Sequence, residues 1–100
     1  MTGAGMRALA IVVLAPGLMA PALAAAPTGV QKQEFYSVCV GISGDQELCT
    51  CKADAAMTLI DERFMGVVLT SMQGGSPAPD DYQRYNSYVA RSNQLCKPNY

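Results

Sequence analysis

The sequence predicts a small all-α protein of three or four short helices, held by two disulfides and preceded by a cleaved signal peptide. Apolar residues recur at the three- and four-residue spacing of a helix, and no segment sustains a strict apolar–polar alternation. Glycine, proline, aspartate and serine separate the apolar segments at the points where helices would begin and end. The 100-residue chain also contains four cysteines, an even number that two disulfides would use completely.

The first 24 residues have the organisation of a signal peptide. Arg7 precedes the apolar segment Ala8–Ala15, a Pro16-Gly17 break follows, and the triplet Ala22-Leu23-Ala24 has the small residues that signal peptidase prefers. We expect cleavage after Ala24 and a mature domain over residues 25–100. An uncleaved membrane anchor is the alternative, but a spanning helix needs about 20 apolar residues, and prolines and a glycine interrupt this segment.

The cysteines indicate an oxidising compartment. All four of them lie in the predicted mature domain, at Cys39, Cys49, Cys51 and Cys96. A domain of about 76 residues buries a limited core and commonly needs such cross-links. We therefore expect a periplasmic or secreted protein, with no membrane span after signal cleavage.

The first two helices are expected to form a hairpin. The first begins after Thr28, which can form a capping box with Gln31, and its apolar face carries Phe35, Val38, Cys39 and Ile42. Gly41 and Gly44 are expected to end it. The second helix runs from Gln46 to about Ile60, with Ser43 or Asp45 as its N-cap.

Two further helices are expected beyond residue 60. Asp61 can cap a third helix, whose apolar stripe is Phe64, Val67, Val68 and Met72. The segment Gly74–Pro79 cannot continue a helix and is expected to be an exposed loop. Pro79 then opens the last helix, which Pro98 ends and whose inner face carries Tyr85, Val89, Ser92 and Cys96, with Tyr82 and Tyr88 beside it.

Four cysteines allow three disulfide pairings. A Cys49–Cys51 bridge is set aside, because residues two apart point to opposite sides of a helix. A hairpin of the first two helices favours Cys39–Cys49 with Cys51–Cys96. A small change in hairpin register would give Cys39–Cys51 with Cys49–Cys96, so both pairings stay open.

Several functional classes lack support in the sequence. The predicted mature domain has six basic and eight acidic residues, and without a basic patch nucleic acid is not an expected partner. The chain has no histidine, which removes the commonest general base and a common metal ligand. The acidic pairs Asp61-Glu62 and Asp80-Asp81 are interpreted as helix caps. We expect no catalytic, cofactor-binding or metal-binding residue, and therefore no enzyme.

Two features leave alternatives to a purely structural role for the cysteines. Cys49-Thr50-Cys51 suggests thiol–disulfide exchange if one thiolate were exposed. Thiolates and thioethers also suit copper(I), and Met57, Met65 and Met72 follow one helical flank, although such a stripe more often fills a core.

The pattern Cys-x9-Cys-x-Cys, with Phe35-Tyr36 before Cys39 and Cys96 near the end, resembles uncharacterised small exported bacterial helical proteins. Size, export and helicity are also similar to those of periplasmic acid-stress chaperones. Tyrosine suits interfaces, and the chain has five, namely Tyr36, Tyr82, Tyr85, Tyr88 and Tyr100. We expect a non-enzymatic binding or accessory protein whose partner is another envelope or extracellular protein; the alternatives are thiol or copper(I) handling and a small periplasmic chaperone.

Overall fold

The computed structural model describes residues 24–97, and this part of the chain is almost entirely helical. Its α-helices are α1 (Gly29–Ser43), α2 (Gln46–Leu59), α3 (Glu62–Met72) and α4 (Tyr82–Leu95), the last preceded by a 3-10 turn at Pro79–Asp81. Residues 24–97 contain no strand, so the predicted all-α fold is confirmed. The predicted signal peptide, apart from its last residue, and the predicted helix end at Pro98 lie outside the described residues.

Side-chain caps define where three helices begin. Thr28 and Gln31 form the predicted capping box, in which each side chain accepts from the other's backbone N–H at 3.0 Å. Asp45 accepts from Leu48 N–H at 2.9 Å, and Asp61 accepts from Phe64 N–H at 2.8 Å. These bonds satisfy backbone donors that the helices leave without a partner, each worth about 1 kcal/mol.

Glycine ends α1 and α3, although not at every predicted position. Gly44 adopts φ +70° beyond α1 and donates to the Val40 carbonyl at 2.8 Å. The prediction that Gly41 ends α1 was wrong, because the helix continues through Gly41 to Ser43. After α3, Gly74 has φ +100°, a left-handed conformation that glycine adopts without a steric penalty.

The segment after α3 closes in a Schellman motif. Gly74 N–H donates to the Ser71 carbonyl at 3.2 Å, and Gly75 N–H donates to the Thr70 carbonyl at 3.0 Å. The rest of the connection to α4 is exposed as predicted, apart from the half-buried Pro77.

One core joins all four helices. Phe64, Met65 and Cys49 have no solvent exposure, and burying a side chain such as Phe64 contributes about 1.5–3 kcal/mol. Alanines at the inner positions of α2 allow the neighbouring helices to approach closely. The buried cluster consists of Phe35, Cys39, Cys49, Ala53, Ala56, Ile60, Phe64, Met65, Val68, Leu69 and Tyr88.

Three predicted inner faces differ from the observed ones. Ile42 is 66 % exposed, because it lies in the last turn of α1 beyond the residues that pack. On α3, Met65 and Leu69 are buried instead of Val67 and Met72, which are half-buried at the margin of the core. The largest difference is on α4, where the inner face carries Tyr88, Ser92 and Cys96 while Val89 is 36 % exposed.

Two disulfides fix this arrangement. Cys39–Cys49 ties α1 to α2 with a Cα–Cα distance of 5.7 Å, and Cys51–Cys96 ties α2 to the end of α4 at 5.8 Å. The chain-entropy argument gives roughly 3 kcal/mol for the short ring and roughly 4 kcal/mol for the long one. Because Cys96 must reach Cys51, residues 88, 92 and 96, which are spaced four apart, face inward together.

Candidate binding pocket

A pocket of about 160 Å³ lies where α1, α3 and α4 meet beside Lys52 of α2. Its walls are mainly apolar and aromatic, and Val89 brings it to the protein surface. The residues that line it are Phe35, Cys39, Lys52, Val68, Met72, Tyr85, Tyr88, Val89 and Ser92.

The Ser92 hydroxyl is the unusual group in this pocket. Ser92 is 2 % exposed, and its Oγ has no hydrogen-bond partner within residues 24–97. By contrast, Ser71 Oγ donates to the Val67 carbonyl one turn back along α3, at 2.9 Å. Leaving a buried hydroxyl unpaired costs about 1–3 kcal/mol, so a partner for Ser92 Oγ would stabilise the folded protein.

Tyr88 lies one helical turn before Ser92 and is also buried. Burial raises the pKa of the Tyr88 phenol to about 12, and the Ser92 hydroxyl acts on that pKa in the opposite direction to a smaller extent. The two hydroxyls are close enough for a weak side-chain interaction with Ser92 to lower the Tyr88 pKa, but their geometry falls outside that of an ordinary hydrogen bond, so Ser92 Oγ has no full partner among the described residues. The Tyr88 phenol therefore remains protonated at neutral pH and can donate a hydrogen bond.

Lys52 supplies the one charged side chain among the lining residues. Its Nζ donates to Asn93 Oδ1 at 2.6 Å, which ties α2 to α4 next to Ser92. Partial burial lowers the pKa of Lys52, because removal from water disfavours the charged form. An anion beside the ammonium would stabilise the charged form and raise the pKa of Lys52 again.

The wall formed by α4 is held at both ends. At its beginning, the Arg84 guanidinium lies 4.4 Å from the centre of the Phe64 ring and 3.5 Å from the Asp61 carboxylate. Asp80 and Asp81 lie at the start of the last helix as predicted, but Asp81 makes no capping hydrogen bond and instead pairs with Arg63 at 3.0 Å. At the other end the Cys51–Cys96 disulfide fixes the helix. The pocket is therefore formed before any ligand binds, as is usual for small-molecule sites.

Another cavity, of about 200 Å³, lies beside the Cys51–Cys96 disulfide. Asp45, Glu47 and Lys97 are among its lining residues, so its charges are mixed and solvent-facing. It contains no buried side-chain polar atom that lacks a partner among the described residues. The pocket with Ser92 is the better candidate because only there does an apolar wall surround an unpaired buried hydroxyl.

The four predicted site cysteines come together as Cys39–Cys49 and Cys51–Cys96, the first of the two pairings left open by the sequence. All four are therefore bonded. Within residues 24–97 no group of three or more histidine, cysteine or acidic residues is placed to hold a metal ion. The predicted methionine flank divides, since Met65 is in the core while Met72 lines the pocket and Met57 packs at the core margin.

The sequence did not single out Lys52 or Ser92 as residues of a candidate site, although both line this pocket. The signal for Ser92 was present, because a serine on the apolar stripe of an amphipathic helix is a polar group at a core position. Lys52 carried no such signal, since nothing in its sequence neighbourhood indicates that α4 lies beside it. Comparisons of the chain with protein-family models, with curated proteins and with solved structures give no match.

Proposed function

We propose that this chain is a non-enzymatic binding protein of the periplasm or the cell exterior, and that the pocket between α1, α3 and α4 is its binding site. The observation that carries the proposal is the buried, unpaired hydroxyl of Ser92, a residue on the lining of a mainly apolar pocket. A purely structural core would gain stability by losing this hydroxyl or pairing it. A ligand that pairs it would explain its presence.

The proposed location rests on two features of the described residues. Two disulfides are compatible with an oxidising compartment, and none of the described helices is long and apolar enough to cross a membrane. The Ala25 carbonyl accepts from the Glu62 N–H at 2.8 Å, and Pro27 is buried. Cleavage after Ala24 would keep the Ala25–Glu62 hydrogen bond, whereas cleavage after Ala26 would remove it. The intact mass of the exported protein should therefore correspond to a chain that begins at Ala25.

The pocket suits binding better than nucleophilic catalysis. A serine nucleophile needs a base within hydrogen-bonding distance. Lys52 is the only candidate base on the pocket lining, but its ammonium is bonded to Asn93 and Ser92 Oγ has no partner among the described residues. The thiol and copper(I) alternatives lack a free thiolate in the oxidised protein, since Cys49 and Cys51 are bonded to Cys39 and Cys96.

An envelope or extracellular protein as partner is a second proposal, favoured by Tyr82. This tyrosine is the first residue of α4 and is 47 % exposed, which leaves a large amphipathic side chain available for contact. Pull-down from envelope extract should retain a partner with the oxidised wild-type protein and lose it with Tyr82→Ala. Equal retention by both proteins would show that Tyr82 does not contribute to partner binding.

The binding site itself can be tested with benzyl alcohol, a neutral ring compound that matches the pocket in size. The oxidised protein, produced by export of the full chain, is labelled with 15N and titrated. We expect saturable shifts of backbone amides around residues 85–92 and 68–72. Val89→Phe, at the pocket edge, should weaken binding at least fivefold, whereas Val30→Phe, at a valine that is 78 % exposed elsewhere, should not. Absence of saturable shifts would contradict the proposal.

A further inference from the structure

We propose that the ligand of this pocket is a small monocarboxylate with a compact apolar body, bound by Lys52, Tyr88 and Ser92. This inference rests on the proposed binding function of the same pocket and adds the chemical class of the ligand. Three observations support it: the charge of the lining, the hydrogen-bond donors among its residues and its size.

The lining carries a single positive charge. Lys52 is the only lysine, arginine, aspartate or glutamate among the lining residues, and Cys39 is in a disulfide. No carboxylate is among the lining residues, so an anion would meet no repulsion there. One cation is matched by one negative charge, which favours a monoanion over a dianion.

The polar groups of the pocket can all donate hydrogen bonds. Within the described residues the Lys52 ammonium makes one hydrogen bond, to Asn93, so two of its three protons remain. The Tyr88 phenol is protonated, and the Ser92 hydroxyl has no partner. A carboxylate is acceptor-only and offers about four lone-pair positions, so it complements this set of donors better than an alcohol or an amine.

The volume of the pocket limits the body of the ligand. An apolar cavity of about 150 Å³ can hold a benzene ring, and this pocket has about 160 Å³. Phe35, Val68 and Met72 provide apolar contacts for such a ring. A benzene ring or a short branched alkyl group therefore fits, whereas a long acyl chain would have to extend past Val89 into solvent.

The test compares three ring compounds that differ mainly in their polar group: benzoate, benzyl alcohol and benzylammonium. Each is titrated at pH 7 into the oxidised protein, with binding followed through the amide shifts around residue 92. We expect benzoate to bind at least tenfold more tightly than benzyl alcohol, and benzylammonium to bind most weakly. Lys52→Met should reduce benzoate affinity about tenfold and leave benzyl alcohol within twofold, because hydrogen bonds to charged groups are the stronger ones.

Lys32→Met is the matched control, since Lys32 is an exposed lysine paired with Asp54 at 2.7 Å and lies outside the pocket. It should leave the affinity for benzoate unchanged. If benzyl alcohol or benzylammonium binds as tightly as benzoate, the carboxylate class is wrong while the binding site stands. If none of the three compounds gives a saturable shift, the proposed function fails together with the inference.

Discussion

The guanidinium of Arg84 on α4 lies over the ring of Phe64 on α3, 4.4 Å from its centre, and its other contact is the Asp61 carboxylate at 3.5 Å. Asp61 also caps α3 by accepting from Phe64 N–H at 2.8 Å. One aspartate thus starts α3 and helps hold the beginning of α4, the helix that carries Tyr88 and Ser92. These contacts therefore link the start of α3 to the helix that forms the pocket wall.

Asp61→Ala should lower the free energy of unfolding by about 1 kcal/mol at pH 7, the usual cost of a lost cap. The backbone hydrogen bond from Phe64 is the largest effect and lowers the pKa of Asp61 below its usual 3.8; burial, the next largest, raises it, and Arg84 and then Arg63 lower it further. The charged form is therefore favoured in the folded protein. The charged Asp61 carboxylate therefore stabilises the folded protein above about pH 4. This stabilisation is lost as the pH falls through the lowered pKa of the folded state.

Asp61→Asn separates the cap from the charge, because asparagine is also a good N-cap. Urea unfolding at pH 7 and pH 2.5 should place Asp61→Asn between the wild type and Asp61→Ala at pH 7, and close to the wild type at pH 2.5. If the free energies of unfolding of the wild type and Asp61→Asn differ by the same amount at the two pH values, the charge of Asp61 does not affect stability.

Gly75→Ala should destabilise the protein by about 1 kcal/mol, because a Cβ there overpacks the end of α3. The added carbon would lie 2.7 Å from Thr70 Cγ2 and 3.0 Å from the Thr70 carbonyl oxygen. Gly66→Ala is the control with the opposite sign: its Cβ would meet nothing within 4 Å, and alanine in a helix interior gains about 0.5–1 kcal/mol over glycine. Thermal unfolding should move in opposite directions for the two variants, and a shared direction would contradict the close approach at Gly75.

Limited proteolysis should cut the connection between α3 and α4 first, at residues 76–78, where the backbone is outside the helices and largely exposed. Because the Cys51–Cys96 disulfide spans this connection, the two fragments should stay joined on a non-reducing gel and separate after reduction. In Cys51→Ser/Cys96→Ser the fragments should separate without reductant. Release of the C-terminal fragment from the wild type without reductant would rule out this disulfide.

Much of the fold was predictable because its signals are local. Thr28, Asp45 and Asp61 are recognisable as caps since each bonds to a backbone group three residues away. The rotation of α4 was not predictable from its own residues. Val89 and Tyr88 are both apolar enough to face the core and lie three and four residues before Ser92, so helical periodicity alone does not choose between them.

The pocket, too, was predictable only where its signals are local. Ser92 was placed on the inner face of the last helix from the sequence, and that position is confirmed. Its lack of a hydrogen-bond partner could not be predicted, because a helical serine ordinarily bonds to a carbonyl one turn back, as Ser71 does. The neighbouring Lys52 lies 41 residues before its partner Asn93 in the chain and reaches α4 only through the packing of the helices.

Ser92→Ala should raise the free energy of unfolding by about 1 kcal/mol beyond the effect of helix propensity, because it removes a buried hydroxyl that has no partner. Ser87→Ala is the matched control on the exposed side of α4, where the same propensity gain applies without any change in the pocket. Urea unfolding of the two variants gives the difference directly. Equal stabilisation by both would mean that the Ser92 hydroxyl is satisfied in solution.

The most direct test of the binding site is the measurement of intermolecular nuclear Overhauser contacts between bound benzyl alcohol and the oxidised protein. We expect contacts from the ligand's ring protons to the side chains of Phe35, Val68 and Met72, which line the pocket. Contacts confined to exposed apolar side chains elsewhere, such as Val30 and Ile42, would contradict it.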